Sequence, residues 1–188
     1  MSSIRIFILG SLEKVGPMHG HALRLLAEEE HVEQWADVTP GAIYGAIKRL
    51  AAEGLIRSER VEREGNYPER QVYSISDEGT AALRTLRRHA LDTIVYRPDP
   101  VDLALARLGP ENLDDLRSVL EERLAELRRR VEHEHTHMNR IDKYLTLTEK
   151  HVSRHDLHRL GAEVAWHEEL IAALPQIIDD ERNRKASS

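Results

Sequence analysis

Cysteine is absent from the 188-residue chain, which excludes disulfides, thiol redox chemistry and cysteine metal ligands. Aromatic residues are scarce, with one Phe, two Trp and five Tyr, and none of them declares a ligand pocket. No apolar run approaches the ~18 residues that a membrane span needs. The early run Ile6-Phe7-Ile8-Leu9 is short, and no cleavage pattern follows it. A soluble, cytoplasmic protein with no membrane partner is therefore expected. A Gly-rich phosphate loop, a nucleophile motif and a metal-catalytic spacing are also missing, so neither an enzyme nor a cofactor is expected. Positive charge is not in excess either. The formal net charge is −6, which by itself argues weakly against nucleic-acid binding. The acidity is uneven, however: residues 1–90 carry 12 basic against 13 acidic side chains, and residues 91–188 carry 15 against 20. A locally basic face thus remains compatible with the first half.

What the first half does contain is a succession of helix signals followed by strand signals. Ile4, Ile8 and Leu12 recur every four residues, predicting a helix over residues 4–14 that Gly16-Pro17 stops. A second helix is expected from about His19 to Glu30, with Leu23 and Leu26 on its apolar face, and then a loop through Trp35 and Asp37. The strongest local signal is Thr39-Pro40-Gly41-Ala42-Ile43-Tyr44-Gly45-Ala46-Ile47-Lys48-Arg49-Leu50. Thr39 is suited to an N-cap and Pro40 to the first helical position. Ile43, Ile47 and Leu50 form the apolar stripe of this third helix, and Gly54 supplies its stop. Leu55–Val61 and Arg70–Ile75 have strand character around a polar turn at residues 62–69. Three helices and a polar-tipped hairpin make a winged helix-turn-helix, whose third helix enters the DNA major groove while the hairpin flanks it.

Five fragments occur in order: Gly16-Pro17-Met18-His19-Gly20; Thr39 through Tyr44; Leu50 through Glu53-Gly54-Leu55-Ile56; Arg70 through Tyr73; and Ser76-Asp77-Glu78-Gly79. Together, along about 75 residues, they resemble the PadR family of transcriptional regulators. The resemblance implies a regulator, usually a repressor, that binds a palindromic operator. Two departures stand out. His21 occupies a position where Tyr is common, and the basic wing residues Arg63 and Arg70 are interleaved with Glu62, Glu64 and Glu69.

The DNA-contacting candidates lie on the two elements that a winged helix presents. On the third helix they are Thr39, Pro40, Gly41, Tyr44, Lys48 and Arg49; on the wing they are Arg63, Asn66 and Arg70. The N-terminal N–H groups beside Thr39 suit a phosphate, and Lys48 and Arg49 are the favoured cations. Tyr44 is read equally as a DNA contact or as a packing residue.

In the second half, Ser76 caps a helix carrying Leu83, Leu86, Ala90 and Ile94, and Tyr96-Arg97-Pro98-Asp99-Pro100 breaks it. A short helix over Val101–Leu108 follows. One long helix is expected from about Glu111 to about Lys150, with Leu124, Leu127, Val131, Glu134, Met138, Ile141 and Leu145 in heptad alternation. Another is expected from a Ser153 cap to about Asp180, with Leu157, Leu160, Val164, His167, Ile171, Leu174 and Ile178 on one stripe and Trp166 and Leu170 beside it. Pro175 should kink or shorten this helix. Faces this broad need a partner beyond each other, and a second copy is the economical one; the C-terminal half also resembles, more loosely, the domain through which PadR members dimerise. The candidate dimer residues are Leu124, Leu127, Val131, Leu160, Val164, Trp166, Leu170 and Ile171.

The expected organisation is thus mainly α with a small β component. A winged helix-turn-helix with a two-stranded wing occupies residues 1–82, a linker helix and hinge residues 83–110, a long-helix dimerisation domain residues 111–182, and a disordered tail residues 183–188. A homodimer reading double-stranded DNA has half-sites about one helical turn, roughly 34 Å, apart; a small-molecule effector that favours another spacing would release the DNA. Two alternatives stand beside this reading. Seven of the eleven histidines lie between residues 133 and 167, and His133 with His137, one turn apart, can chelate a metal or serve a pH-responsive regulator. The winged helix can also bind protein in place of DNA.

Overall fold

A computed structural model describes residues 3–62, 70–96, 98–109 and 112–186. The chain divides into two compact units, residues 1–96 and 97–188.

The first unit is built on α1 (Ser3–Val15), β1 (Met18–His19), α2 (Gly20–Glu29), α3 (Val32–Trp35), α4 (Ile43–Ala52), β2 (Ile56–Glu62), β3 (Arg70–Ile75) and α5 (Asp77–Asp92). Its core collects Ile8, Leu9 and Leu12 from α1, Leu23 and Ala27 from α2, Ile43, Ala46, Ile47 and Leu50 from α4, Ile56 from β2 and Leu83 from α5. Each fully buried Ile or Leu contributes about 1.5–3 kcal/mol through its apolar surface, so α4 is anchored by three such positions, Ile43, Ile47 and Leu50, along one face. The loop expected through Trp35 contains a four-residue helix instead. Val32 is fully buried there, and the Trp35 indole donates to the Glu30 carbonyl at 3.0 Å, so one buried side chain and one ring bond hold the extra turn in place.

The wing is the antiparallel pair β2–β3, with Ile56 opposite Ile75 and Glu62 opposite Arg70 and a bulge between Ser58 and Arg60. A short third strand, β1, adds to β3 through Met18 opposite Tyr73 and His19 opposite Val72, giving the sheet order β1-β3-β2. The expected two-stranded wing is therefore part of a three-stranded sheet that ties the start of α2 to the hairpin. The helix α5 ends at Asp92, capped at its start by Ser76.

The second unit contains α6 (Pro100–Leu105), α7 (Leu116–Ile141) and α8 (Leu147–Ala186). The single helix expected to run to about Lys150 is interrupted. After Ile141 a 3₁₀ turn covers Asp142–Tyr144, and α8 starts at Leu147, six residues before the expected Ser153 cap. The cause is a capping box. The Glu149 carboxylate accepts from the Thr146 backbone N–H at 2.8 Å while the Glu149 N–H donates to the Thr146 hydroxyl at 3.3 Å, which satisfies orphan donors at both ends of the box. Ser153 lies inside α8 and donates to the Glu149 carbonyl. Pro175 does not end α8, which continues to Ala186, into the segment expected to be a tail. The missing N–H at Pro175 is offset by the complete burial of the adjacent Leu174.

The helices α7 and α8 pack antiparallel, as the pairings Arg128–Glu168 and Arg182–Asp114 require. Leu116, Leu120 and Leu174 form their shared core, joined by Leu105, Leu108, Leu170 and Ile171. No described helix is long and apolar enough to cross a membrane.

Candidate nucleic-acid interface

The helix α4 is presented with one face buried and the other open. Ile43, Ala46, Ile47 and Leu50 are in the core, while Tyr44, Gly45, Lys48 and Arg49 are exposed. Its beginning differs from the expected one. Pro40–Ala42 form a 3₁₀ turn, and Thr39 makes no side-chain capping bond. The Ala42 N–H is taken instead by the Thr39 carbonyl at 3.0 Å, because the tighter 3₁₀ winding brings the backbone acceptor into place of the hydroxyl. Gly41 is exposed, and a Cβ built on it meets nothing within 4 Å; one on Gly45 meets only the Arg49 guanidinium, at 3.5 Å.

The end of α4 is fixed twice. Gly54 adopts a left-handed φ of 74°, Gly54 N–H donates to the Ala51 carbonyl at 3.0 Å, and Leu55 N–H donates to the Leu50 carbonyl at 2.9 Å. This is the Schellman pattern. Ser76 then ties the stop to the next helix: its hydroxyl donates to the Gly54 carbonyl at 2.7 Å and accepts from Gly79 N–H at 2.9 Å. Glu53 beside the stop pairs with Arg5 of α1. The Arg5 hydrogen bond holds the Glu53 carboxyl below the usual carboxylate range, against the opposing effect of burial, with Arg5 and Arg49 adding charge attraction.

Tyr44, Lys48 and Arg70 come together. They line an open groove of about 660 Å³ between α4 and the wing, with Ile47, Val61, Gln71 and Tyr73 and, from the start of α2, His19, Gly20 and His21. Tyr44 is 47% exposed and also packs: a Cβ on Gly20 would lie 3.1 Å from its ring. Tyr44 is thus packed against the start of α2 on one side and open to solvent on the other. Among the described residues, Lys48, the Tyr44 hydroxyl and His21 have no hydrogen-bond or ion-pair partner, whereas the Tyr73 hydroxyl donates to Gln71 at 2.7 Å. Arg63 and Asn66 lie outside the described residues. The sequence alone does not assign His19, His21, Gln71 or Tyr73 to this groove. The short β1 strand, which carries His19 to the wing, has only two residues and no legible alternation.

In the second unit, Leu124 is buried at 7% exposure within one chain, and Leu170 and Ile171 join the α7–α8 core. Leu127, Val131, Leu160, Val164 and Trp166 are half-buried. Val131, Gly161 and Val164 line a second open groove of about 330 Å³ with Arg128, His135 and Asn139. His167 is fully buried. Its Nε2 accepts from Arg123 Nε at 2.9 Å, and its Nδ1 donates to the Glu163 carbonyl at 2.7 Å, an arrangement that requires the neutral Nδ1–H tautomer because the guanidinium can only donate. Arg123 also bonds Asp99, whose carboxyl is held below its usual range first by the Val101 N–H and, against burial, by Arg123. Among the described residues no three His, Cys, Asp or Glu side chains converge as a metal site; His133 reaches only the carboxylate of its neighbour Glu134, at 3.8 Å.

Residues 8–85 match the model of the transcriptional regulator PadR-like family, a family of regulators and not of enzymes. Among solved structures, the chain is similar to Bacillus subtilis PadR in complex with operator DNA, at 20% identity and a TM-score of 0.71, covering 93% of this chain and 98% of that one. It is similar to the same protein in complex with p-coumaric acid at 18% identity and a TM-score of 0.69, covering 92% and 98%. The Vibrio cholerae virulence activator AphA is 17% identical with a TM-score of 0.59, covering 97% and 99%. No curated protein matches the chain.

Proposed function

We propose that this chain, whose first domain over residues 8–85 belongs to the PadR-like family of transcriptional regulators, is a repressor that binds a palindromic operator as a homodimer and is released from it by a small-molecule effector. The observation that carries the reading is the groove between α4 and the wing, where Lys48 and the Tyr44 hydroxyl face solvent unpartnered among the described residues, with Arg70 alongside. Phosphate contacts give affinity and base-edge contacts give sequence choice; a helix with an exposed Tyr44-Gly45 and Lys48-Arg49 face offers both. Bacillus subtilis PadR has been solved with operator DNA and with p-coumaric acid, which supports DNA as the partner and a small aromatic acid as the kind of effector to try first. In the second unit, the half-buried Leu127, Val131, Leu160, Val164 and Trp166 supply a seam for the second copy.

The test is selection of bound duplexes from a random pool, followed by titration of the selected DNA with Lys48→Ala and Arg49→Ala. Each substitution is expected to weaken binding by about tenfold or more and, where it removes a phosphate contact, to lower the salt slope by about 1. Unchanged binding by both variants would remove α4 as the reading helix. Failure to select any sequence, with no binding at low salt, would favour a protein partner for the winged helix.

A further inference from the structure

The groove has a side that neither α4 nor the wing supplies. At the start of α2, the rings of His19 and His21 stack with centroids 6.1 Å apart and planes 17° from parallel, and both line the same groove as Lys48 and Arg70. The two imidazoles are not equivalent. His19 Nδ1 accepts the Ala22 N–H at 2.9 Å as the cap of α2, and that bond exists only while Nδ1 carries no proton. His21 has no such commitment. Its half-buried ring is in contact with His19 and makes no hydrogen bond or ion pair with a described residue.

The described groups lining the groove around His21 are cationic or neutral. Lys48 comes from α4 and Arg70 from β3, with Tyr44 and Tyr73 beside them. On α2 itself, Arg24 is one turn on and engaged with Glu28. A phosphate entering the groove would lie beside the imidazole, and an adjacent anion favours its charged form.

We propose that His21 is a proton-linked contact to the DNA backbone: a phosphate held beside Lys48 also meets the protonated imidazole of His21, so DNA binding takes up a proton from solvent and tightens as pH falls. The inference rests on the DNA reading above and adds a third element, the start of α2, to the two that a winged helix ordinarily uses. The sign follows from linkage. If bound DNA favours protonated His21, protonated His21 favours bound DNA by the same factor.

The full chain is titrated with a fluorescent mixed-sequence duplex of about 30 base pairs at roughly 50 mM salt, with anisotropy read from roughly pH 5.5 to 8.5, the interval in which imidazoles ordinarily change charge. Between about pH 8 and pH 6 the wild-type Kd should fall about five- to tenfold, up to the limit of one linked proton per pH unit. The slope of log Kd against log salt should steepen by about 0.9 at the lower pH. His21→Gln should match the wild type at the upper end and lose most of the response below it. His19→Asn, whose side-chain oxygen can keep the α2 cap, should retain the response. Circular dichroism at each pH confirms that the variants are folded, and the His21 ring proton, followed by NMR, should titrate higher with the duplex than without it. A flat wild-type profile with DNA bound, or a full response in His21→Gln, overturns the proton-linked contact alone. Absence of wild-type binding at every pH overturns the DNA reading together with it.

Discussion

Gly79 shows how little freedom the winged helix has behind its exposed face. A Cβ there would stand 2.0 Å from the Leu55 carbonyl oxygen and 2.9 Å from Ile75. The first of these is backbone and cannot rotate away. Gly79→Ala is therefore expected to cost about 1–3 kcal/mol, as overpacking does, and to shift the Ser76–Gly54 link that fixes the end of α4. A thermal melt should show the loss, and DNA affinity should fall with it. Gly41→Ala, where nothing lies within 4 Å of the added carbon, is the control and should melt like the wild type; a Gly79→Ala melt equal to that control would overturn the account. Residues of this kind were partly legible. Ser76-Asp77-Glu78-Gly79 was read as a fragment and Ser76 as a cap, yet the clash at Gly79 depends on a carbonyl more than twenty positions away. The place of His19 and His21 in the groove was illegible for the same reason, because it depends on β1 pairing with β3.

At the scale of elements, periodicity located faces better than ends. The stripe Leu124, Leu127, Val131, Met138, Ile141, Leu145 runs on in the sequence where the helix does not, because a heptad pattern specifies which side is apolar and says nothing of where the backbone changes direction. The stop comes from local polar chemistry, the Thr146–Glu149 box and the Lys150–Asp142 pair across the turn at 2.7 Å. The buried leucines of α7 also begin earlier than the stripe, at Leu116 and Leu120. In contrast, the end of α4 was legible, since Gly54 acts through its own backbone and needs no distant partner, whereas at the start Pro40 opens a 3₁₀ turn and α4 itself begins at Ile43. Thr146→Ala should remove both the hydroxyl acceptor and its reciprocal order, costing about 1 kcal/mol, and should lower the melting temperature of the full chain by a few degrees. Thr146→Ser, which keeps the box, should restore it; an alanine variant that melts with the wild type would mean the turn is held by the Lys150–Asp142 pair alone.

For the whole molecule, the proposed function needs two reading heads, and the α7–α8 hairpin is where we propose that the second copy docks. Within one chain Leu116, Leu120, Leu124 and Leu174 are already buried, so they hold the hairpin together and are poorly placed to hold a dimer. Leu124, Leu170 and Ile171 from the expected seam belong to that intramolecular packing in good part. The remaining members, Leu127, Val131, Leu160, Val164 and Trp166, keep exposed area, and Val131 and Val164 border the groove across from Gly161, which offers no side chain to fill it. The double substitution Val131→Glu and Val164→Glu introduces like charges into that strip while leaving the buried leucines untouched. Sedimentation should then show a monomer with an unchanged helical circular dichroism spectrum. Its affinity for a palindrome should fall about 10²- to 10⁴-fold, the loss expected when two linked sites become one, while affinity for an isolated half-site stays the same. A dimer that survives the double substitution would move the seam elsewhere in the second unit. A monomer that still binds the palindrome as tightly as the wild type would show that one winged helix suffices for the operator.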